Sequence, residues 1–225
     1  MTKLRTILFG SIFALVCSIT TTSLLAAGAS NFAGPFIAVQ ASVNGVELDG
    51  STTDSNSQVQ NGAGGMFGIA GGFELGYNIP LGDTLFITVG GMLNPGDAKI
   101  KVDAGGSANS DNTDVTIELT DLVTLYIQPS IAISENSAVF IKLGSTSADL
   151  TITGDVTKLT GVDGETFAIG TTTLTDTGAF FKTEAGLTTF DNIKVTGLGT
   201  YIATTNTAQA DPTSAYGAFT IGYKF

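Results

Sequence analysis

Apolar and polar residues alternate along most of this chain with a period of two. Between positions 37 and 43, for example, Ile37, Val39 and Val43 are separated by small or polar residues. A β-strand places successive side chains on opposite faces, so this period predicts strands with one apolar face and one polar or small face. Beyond the first 29 residues, long windows with helical spacing are absent. The pattern predicts eight strands, near 37–43, 67–79, 85–93, 123–133, 139–143, 167–174, 181–187 and 219–225.

The connections between these segments alternate between short and long. A soluble β-sandwich gives the same alternation within its strands, so the strand pattern alone does not choose between the two architectures. Short turns at one end and long polar loops at the other are typical of outer-membrane barrels. We therefore predict an all-β fold: an eight-stranded antiparallel up-and-down transmembrane β-barrel with short periplasmic turns and four longer, solvated external loops. The short connections fall at 80–83, 135–137 and 176–178, and the long ones at 48–63, 95–114, 150–164 and 192–212.

The N-terminal segment has the three parts of a secretory signal peptide. A basic start precedes an apolar stretch over 7–19, and small residues follow up to Ala29. A membrane anchor is the rival interpretation, but the apolar stretch is short and ends in the hydroxyl residues 20–23. We predict a signal peptide over 1–29, cleaved after Ala29, and a barrel domain over 30–225. The single cysteine, Cys17, lies in the leader, so no disulfide framework is expected in the exported chain.

The charged residues of the predicted strands share the polar face. A lysine on the apolar face would meet lipid, at a cost of roughly 2–4 kcal/mol at the bilayer midplane. The interior of an eight-stranded barrel is just wide enough to be filled by side chains, and charges buried there must be paired. We predict a lumen charge network that plugs the barrel. Its members are Glu74, Lys142, Lys182, Glu184 and Lys224, meeting there with Gln40, Thr124, Tyr126 and Gln128.

Asp121 is the exception to this distribution of charge. It falls on the apolar face of the segment that runs from Val115 to Pro129. A carboxylate facing hydrocarbon is unfavourable, so the strand is expected to change its register there. We predict either a β-bulge at Asp121 or a position outside the hydrocarbon.

Composition excludes several classes of function. The chain has no histidine and a net charge of −11, so it offers neither an imidazole for catalysis or zinc binding nor a basic face for nucleic acid. Acidic residues crowd the predicted loops, where divalent cations could collect, but no stretch has calcium-loop spacing. Gly62-Ala63-Gly64-Gly65 lacks the spacing and the βαβ context of a dinucleotide site. No catalytic residue, cofactor or metal site is predicted, and the protein is not expected to be an enzyme.

The C-terminal strand carries the residues of a family resemblance. Phe219, Ile221 and Tyr223 alternate up to the terminal Phe225. This arrangement resembles the assembly signal of bacterial outer-membrane barrels, and the whole exported chain is similar to the small eight-stranded members: the transmembrane domain of outer membrane protein A, outer membrane protein X and the opacity-type adhesins. The resemblance implies a location in the bacterial outer membrane, contact with its lipid and lipopolysaccharide, and recognition of the C-terminal strand by the barrel-assembly machinery.

Two functions from different classes remain open at this stage. The first is a structural outer-membrane barrel with slow passage of small solutes or ions through its filled lumen. The resemblance adds that the charge network acts as a gate whose ion pairs exchange partners. The second is a surface adhesin or receptor that acts through the external loops. The loops are polar and threonine-rich, so the sequence identifies no external partner.

Overall fold

A computed structural model describes residues 28–53, 59–95, 98–102, 115–153, 158–196 and 207–225. Most of the predicted signal peptide, residues 1–27, lies outside these ranges. The described residues form one short helix and ten strand segments. No helix among them is long and apolar enough to cross a membrane. The elements are α1 (Ala29–Phe32), β1 (Gly34–Thr53), β2 (Val59–Pro80), β3 (Leu85–Asn94), β4 (Ala98–Val102), β5 (Val115–Ala132), β6 (Ser137–Thr153), β7 (Lys158–Leu174), β8 (Ala179–Phe190), β9 (Ile193–Thr196) and β10 (Thr207–Lys224).

The strands close into an eight-stranded antiparallel barrel, as predicted. β4 continues β3, since both pair with β5, and β9 continues β8, since both pair with β10. Pairing of β1 with β10 completes the ring. Following the register once around the barrel from Pro35 leads back to Gly45, so the strands are staggered by ten residues. Such a stagger tilts the strands against the barrel axis.

Side chains alternate between the lumen and the outside along every barrel strand. Glu74 is 2% exposed, whereas its neighbour Leu75 is 66% exposed. The same alternation holds on β8, where Lys182 is buried and Phe181 and Leu187 are exposed. The apolar face predicted from the sequence therefore points outward, and the polar face fills the interior. A barrel exterior of this kind is suited to hydrocarbon rather than to water.

The three predicted short turns occur at one end of the barrel, called the turn end here. They lie between β2 and β3, β5 and β6, and β7 and β8. The four predicted loops are shorter than expected, because part of each long polar connection is paired strand. β1 and β2, for example, remain paired up to Thr53 and Val59, inside the predicted loop 48–63. Where a strand extends beyond the apolar band of the barrel surface, both of its faces can be polar. The alternation of apolar and polar residues then disappears from the sequence, although the strand stays paired with its neighbour.

Toward the opposite end, called the loop end, the pairing between some neighbouring strands of the barrel wall stops within the described residues. Pairing of β2 with β3 starts only at Phe73, and within the described ranges no pairing joins β2 to β4 or β7 to β9. At this end β9, β10, β1 and β2 stay paired in series, as do β4, β5, β6 and β7, and β4 still lies beside β2. The stretch of β2 from Val59 to Gly72 pairs with β1 only.

The bulge predicted at Asp121 is confirmed. The register between β5 and β6 shifts between Thr120 and Val123, and Asp121 has φ 51°. A non-glycine residue in this left-handed region is uncommon, and aspartate tolerates it better than most. Because of the extra residue, the alternate residues of β5 between the bulge and the turn end face the lumen. Thr124, Tyr126 and Gln128 lie in this part of the strand and are all buried.

Candidate functional site

The middle of the lumen holds a square of ion pairs formed by Glu74, Lys142, Lys182 and Glu184. These side chains come from β2, β6 and β8, and each is at most 3% exposed. Lys142 Nζ lies 2.6 Å from Glu184 Oε2 and 3.6 Å from Glu74 Oε1. Lys182 Nζ lies 2.5 Å from Glu74 Oε1 and 3.9 Å from Glu184 Oε2. Each ammonium group therefore has one near and one more distant carboxylate, and the square is neutral as a whole.

Neutral polar groups complete the contacts of the two carboxylates. Tyr126 OH donates a hydrogen bond to Glu74 Oε1. Tyr216 OH donates to Glu184 Oε1 at 3.1 Å, and Gln40 Nε2 donates to the same oxygen at 3.4 Å. Lys142 Nζ also lies 4.6 Å from the centre of the Tyr126 ring, in cation–π geometry. A buried carboxylate is tolerated only where such donors replace its lost hydration, so the square depends on this surrounding layer.

The lumen is also filled on either side of the square. A ladder of four buried threonine hydroxyl groups runs across neighbouring strands nearer the loop end, with oxygen–oxygen distances of 2.8, 2.6 and 2.8 Å. Nearer the turn end, apolar side chains meet, and Phe36 and Phe180 pack edge to face with their ring centres 5.5 Å apart. The ladder consists of Thr124, Thr146, Thr166 and Thr188, and the apolar cluster includes Phe32, Phe36, Phe86, Leu174 and Phe180.

Lys224 does not lie with the other four members of the predicted network, which corrects that part of the prediction. Its Nζ donates to the backbone oxygens of Asn31 at 2.9 Å and Ala33 at 3.0 Å. The face of the strand was assigned from alternation, but alternation carries no information on height along the barrel axis. Lys224 is the last residue of β10, so it lies nearer the turn end than the square, and it lines the same small cavity as Lys182.

The N-terminal residues Gly28–Ala33, which include α1, occupy the turn end of the lumen. Phe32 is 2% exposed and stacks on Phe86, with ring centres 4.9 Å apart. Asn78 Nδ2 donates to Phe32 O at 2.8 Å, and Asn31 Nδ2 donates to Glu135 O at 3.0 Å. Sequence reasoning missed this segment, because one helical turn is too short to produce a periodic signal.

A cavity of about 30 Å³ separates this segment from the square. Gln128 Oε1 is buried in the same region and has no hydrogen-bond partner among the described residues. A void of about 10–15 Å³ is enough for one water molecule, so the cavity has room for little more than ordered water. It is not an open path for a solute. Its polar lining residues include Asn78, Thr88, Gln128, Thr172 and Lys182.

The residues of the predicted assembly signal lie on the outer surface of β10. Phe219, Ile221 and Tyr223 are each 46% exposed, and Phe225 is 67% exposed. β10 is paired on both sides over most of its length, with β1 on one side and with β8 and β9 on the other. Within the described residues, no group of three or more acidic or other metal-ligating side chains is placed to hold a metal ion.

Comparison with known proteins identifies the fold but no close relative. No protein-family profile and no curated protein matches the sequence. Among solved structures, the chain is similar to the outer membrane protease OmpT of Escherichia coli, with 7% identity, a TM-score of 0.51, and coverage of 85% of this chain and 97% of OmpT. It is also similar to Ail, the attachment invasion locus protein of Yersinia pestis (12% identity, TM-score 0.37, coverage 83% and 98%). Neisserial surface protein A is a third (11% identity, TM-score 0.43, coverage 82% and 97%).

The closed barrel and the likeness to OmpT establish the outer-membrane β-barrel fold. With eight strands, this chain has the architecture of the small members of that class. At 7% identity, the likeness concerns the fold alone.

Proposed function

We propose that this protein is an integral barrel of the bacterial outer membrane with a structural role, whose lumen is closed at rest by the square of ion pairs. In this proposal the chain is exported with the signal peptide 1–29, which is then removed. The turn end faces the periplasm and the loop end faces outward. Passage of small ions or solutes is slow and limited to rearrangements of the square.

The apolar exterior supports the membrane location. Large apolar side chains are exposed on every barrel strand, among them Val39, Leu75, Leu125 and Ile169 at 53%, 66%, 66% and 54%. Soluble monomers rarely expose a continuous apolar surface of this extent. Lipid and lipopolysaccharide are therefore the partners proposed for the outer surface, and the barrel-assembly machinery is proposed to recognise the outward-facing residues of β10.

The single observation that carries the proposal of a closed lumen is the geometry of the square. Each lysine already lies near both glutamates, at 2.6 and 3.6 Å for Lys142 and at 2.5 and 3.9 Å for Lys182. An exchange of partners would therefore need only small movements and would leave no charge unpaired. This supports a gate that is closed in both paired arrangements of the four charges. Ions would pass only while the lysines exchange one glutamate for the other.

Reconstitution into a planar bilayer tests the proposal. The unmodified protein is expected to insert and to show no sustained conductance, because the square, the threonine ladder and the apolar cluster fill the lumen. Brief, rare openings are compatible with partner exchange. Continuously open channels would contradict the closed lumen, provided that the unmodified protein is a folded barrel, as shown by a change in its gel mobility on boiling.

The second candidate function is a surface adhesin, and the part of β2 that pairs only with β1 favours it. The stretch Val59–Gly72 of β2 has no strand pairing on the side of β3 within the described residues, although β4 lies beside part of it, and an unpaired strand edge is a template for pairing with another chain. Phe67 and Ile69 lie on this stretch and are 72% and 80% exposed.

OmpT is named a protease, but this chain has no histidine. The expectation that this chain is not an enzyme stays a prediction.

Cell settling distinguishes the adhesin from the structural role. If β2 pairs with a copy on another cell, cells that display the protein should aggregate and settle faster than cells without it. Replacing Phe67 and Ile69 by serine should abolish that difference while the folded barrel is retained. Equal settling of displaying and non-displaying cells would argue against association through this edge.

A further inference from the structure

We infer that Ser30–Ala33 is an N-terminal cork, a second closure of the lumen that lies in series with the square, and that Lys224 is its clamp. The inference rests on the proposed function, because a second closure matters only in a barrel whose lumen crosses a membrane. It assigns a role to the first residues of the barrel domain and to a lysine that is not part of the square.

The cork is held by separate parts of the turn end. Before the expected cleavage, the adjoining Gly28 N and Ala29 N also each donate to Asp83 O at 2.9 Å, in the turn between β2 and β3. Asn31 contacts Glu135 in the turn between β5 and β6, and Lys224 reaches the cork from the end of β10. Anchors spread around the rim hold a plug more firmly than a single contact on one strand would.

The anchors that carry the inference persist after the expected cleavage. Cleavage after Ala29 would remove the two contacts with Asp83, but the contacts of Asn31, Phe32 and Ala33 all lie beyond it. The stacked pair of Phe32 and Phe86 is the apolar centre of the closure. Lys224 donates to two carbonyl oxygens that no other described residue is seen to bind, so it holds the backbone of the cork in place.

The cork and the square are distinct barriers, because the cavity of about 30 Å³ lies between them. Thr172 and Gln128 line this cavity, with Phe32 on the cork side and Lys182 on the side of the square. An ion that passed the square would still meet the buried ring of Phe32. Opening either barrier alone therefore leaves the lumen closed, and conduction requires both to open.

Thiol labelling tests the cork directly, since the exported chain is expected to contain no cysteine of its own. A cysteine at the cavity, Thr172→Cys, should react slowly with a membrane-impermeant thiol reagent in protein purified from outer membranes. Adding Phe32→Ala removes the stacked ring and should speed labelling by about 10- to 100-fold, because labelling follows the population of the open form. Lys224→Met should speed labelling less. Phe32→Leu is the matched control, which keeps apolar bulk and should label nearly as slowly as the parent.

The outcomes separate failure of the cork from failure of the proposed function. Equal labelling rates with and without Phe32→Ala, in proteins that all show the heat-modifiable mobility of a folded barrel, would overturn the cork. A parent protein that cannot be recovered as a folded barrel in detergent would instead overturn the proposed function.

Conductance provides a second measurement of the series arrangement. Replacing Glu74 and Lys182 together by serine removes one side of the square without leaving an unpaired charge there, and this variant should stay silent in a bilayer while the cork is intact. Sustained conductance is expected only when Phe32→Ala is added. Conductance of the Glu74→Ser, Lys182→Ser variant with an intact cork would contradict the inference, because the cork alone would then not keep the lumen closed.

Discussion

Replacing Glu74 by glutamine should lower the free energy of unfolding by about 3–5 kcal/mol, the usual cost of removing one partner from a buried ion pair. Glu74 accepts hydrogen bonds from Lys182 through both carboxylate oxygens, at 2.5 and 2.6 Å, and from Tyr126. Glutamine keeps the shape but leaves Lys182 with its remaining carboxylate, that of Glu184, 3.9 Å away. The cost therefore comes chiefly from a buried ammonium group that has lost its near anion.

Urea unfolding in detergent micelles, followed by the change in gel mobility, measures this effect. Glu47→Gln is the matched control: Glu47 is exposed on β1, so its replacement should change stability by no more than about 0.5 kcal/mol. The double variant Glu74→Gln with Lys182→Gln should recover part of the loss, because it removes the unpaired charge as well. A single variant as stable as the parent would show that the four charges do not act as a paired unit.

Replacing Leu75 by lysine should cost about 2–4 kcal/mol, the penalty for a lysine that faces lipid near the bilayer midplane. Leu75 directly follows Glu74 on β2 but points to the opposite side of the wall, where it is 66% exposed. It lies within the outward apolar series of the strand, which runs from Phe67 to Ile79. In a soluble protein, lysine in place of so exposed a leucine would be nearly neutral.

The control for Leu75→Lys is Ser147→Lys, on the exposed outer side of β6 and closer to the loop end. Near the edge of the apolar layer, a lysine costs only about 0–1 kcal/mol. Both variants are compared by folding into lipid vesicles over a series of urea concentrations. Equal, small effects at the two positions would mean that the outer face of β2 is not in contact with lipid.

The strands and the inward-facing residues could be predicted because alternation decides which face of a strand each residue occupies. Glu74, Lys142, Lys182 and Glu184 were assigned to the lumen on that basis, and the structure brings these four together. The bulge at Asp121 followed from the same rule, since one charge on the wrong face requires a change of register. These conclusions depend only on the sequence within a single strand.

Other features depend on information that no single strand contains. Lys224 has the correct face but the wrong height, and height is set by the stagger between strands. The ladder from Thr124 to Thr188 requires the register of four strands, so threonines that look like ordinary strand residues gave no signal. The cork is held by tertiary contacts of Asn31 and Phe32 with distant turns. The true lengths of β1 and β2 were underestimated because both faces become polar beyond the apolar layer.

The central claim is that the apolar outer face of this barrel lies in the outer membrane, and sequential extraction of membranes tests it most directly. Membranes from cells that produce the protein are washed with high salt after osmotic shock and then treated with detergent. The protein should stay with the membranes through the washes, dissolve only in detergent, and then migrate differently before and after boiling. Release of folded protein by osmotic shock or salt alone would contradict the claim and would favour a soluble periplasmic β-protein.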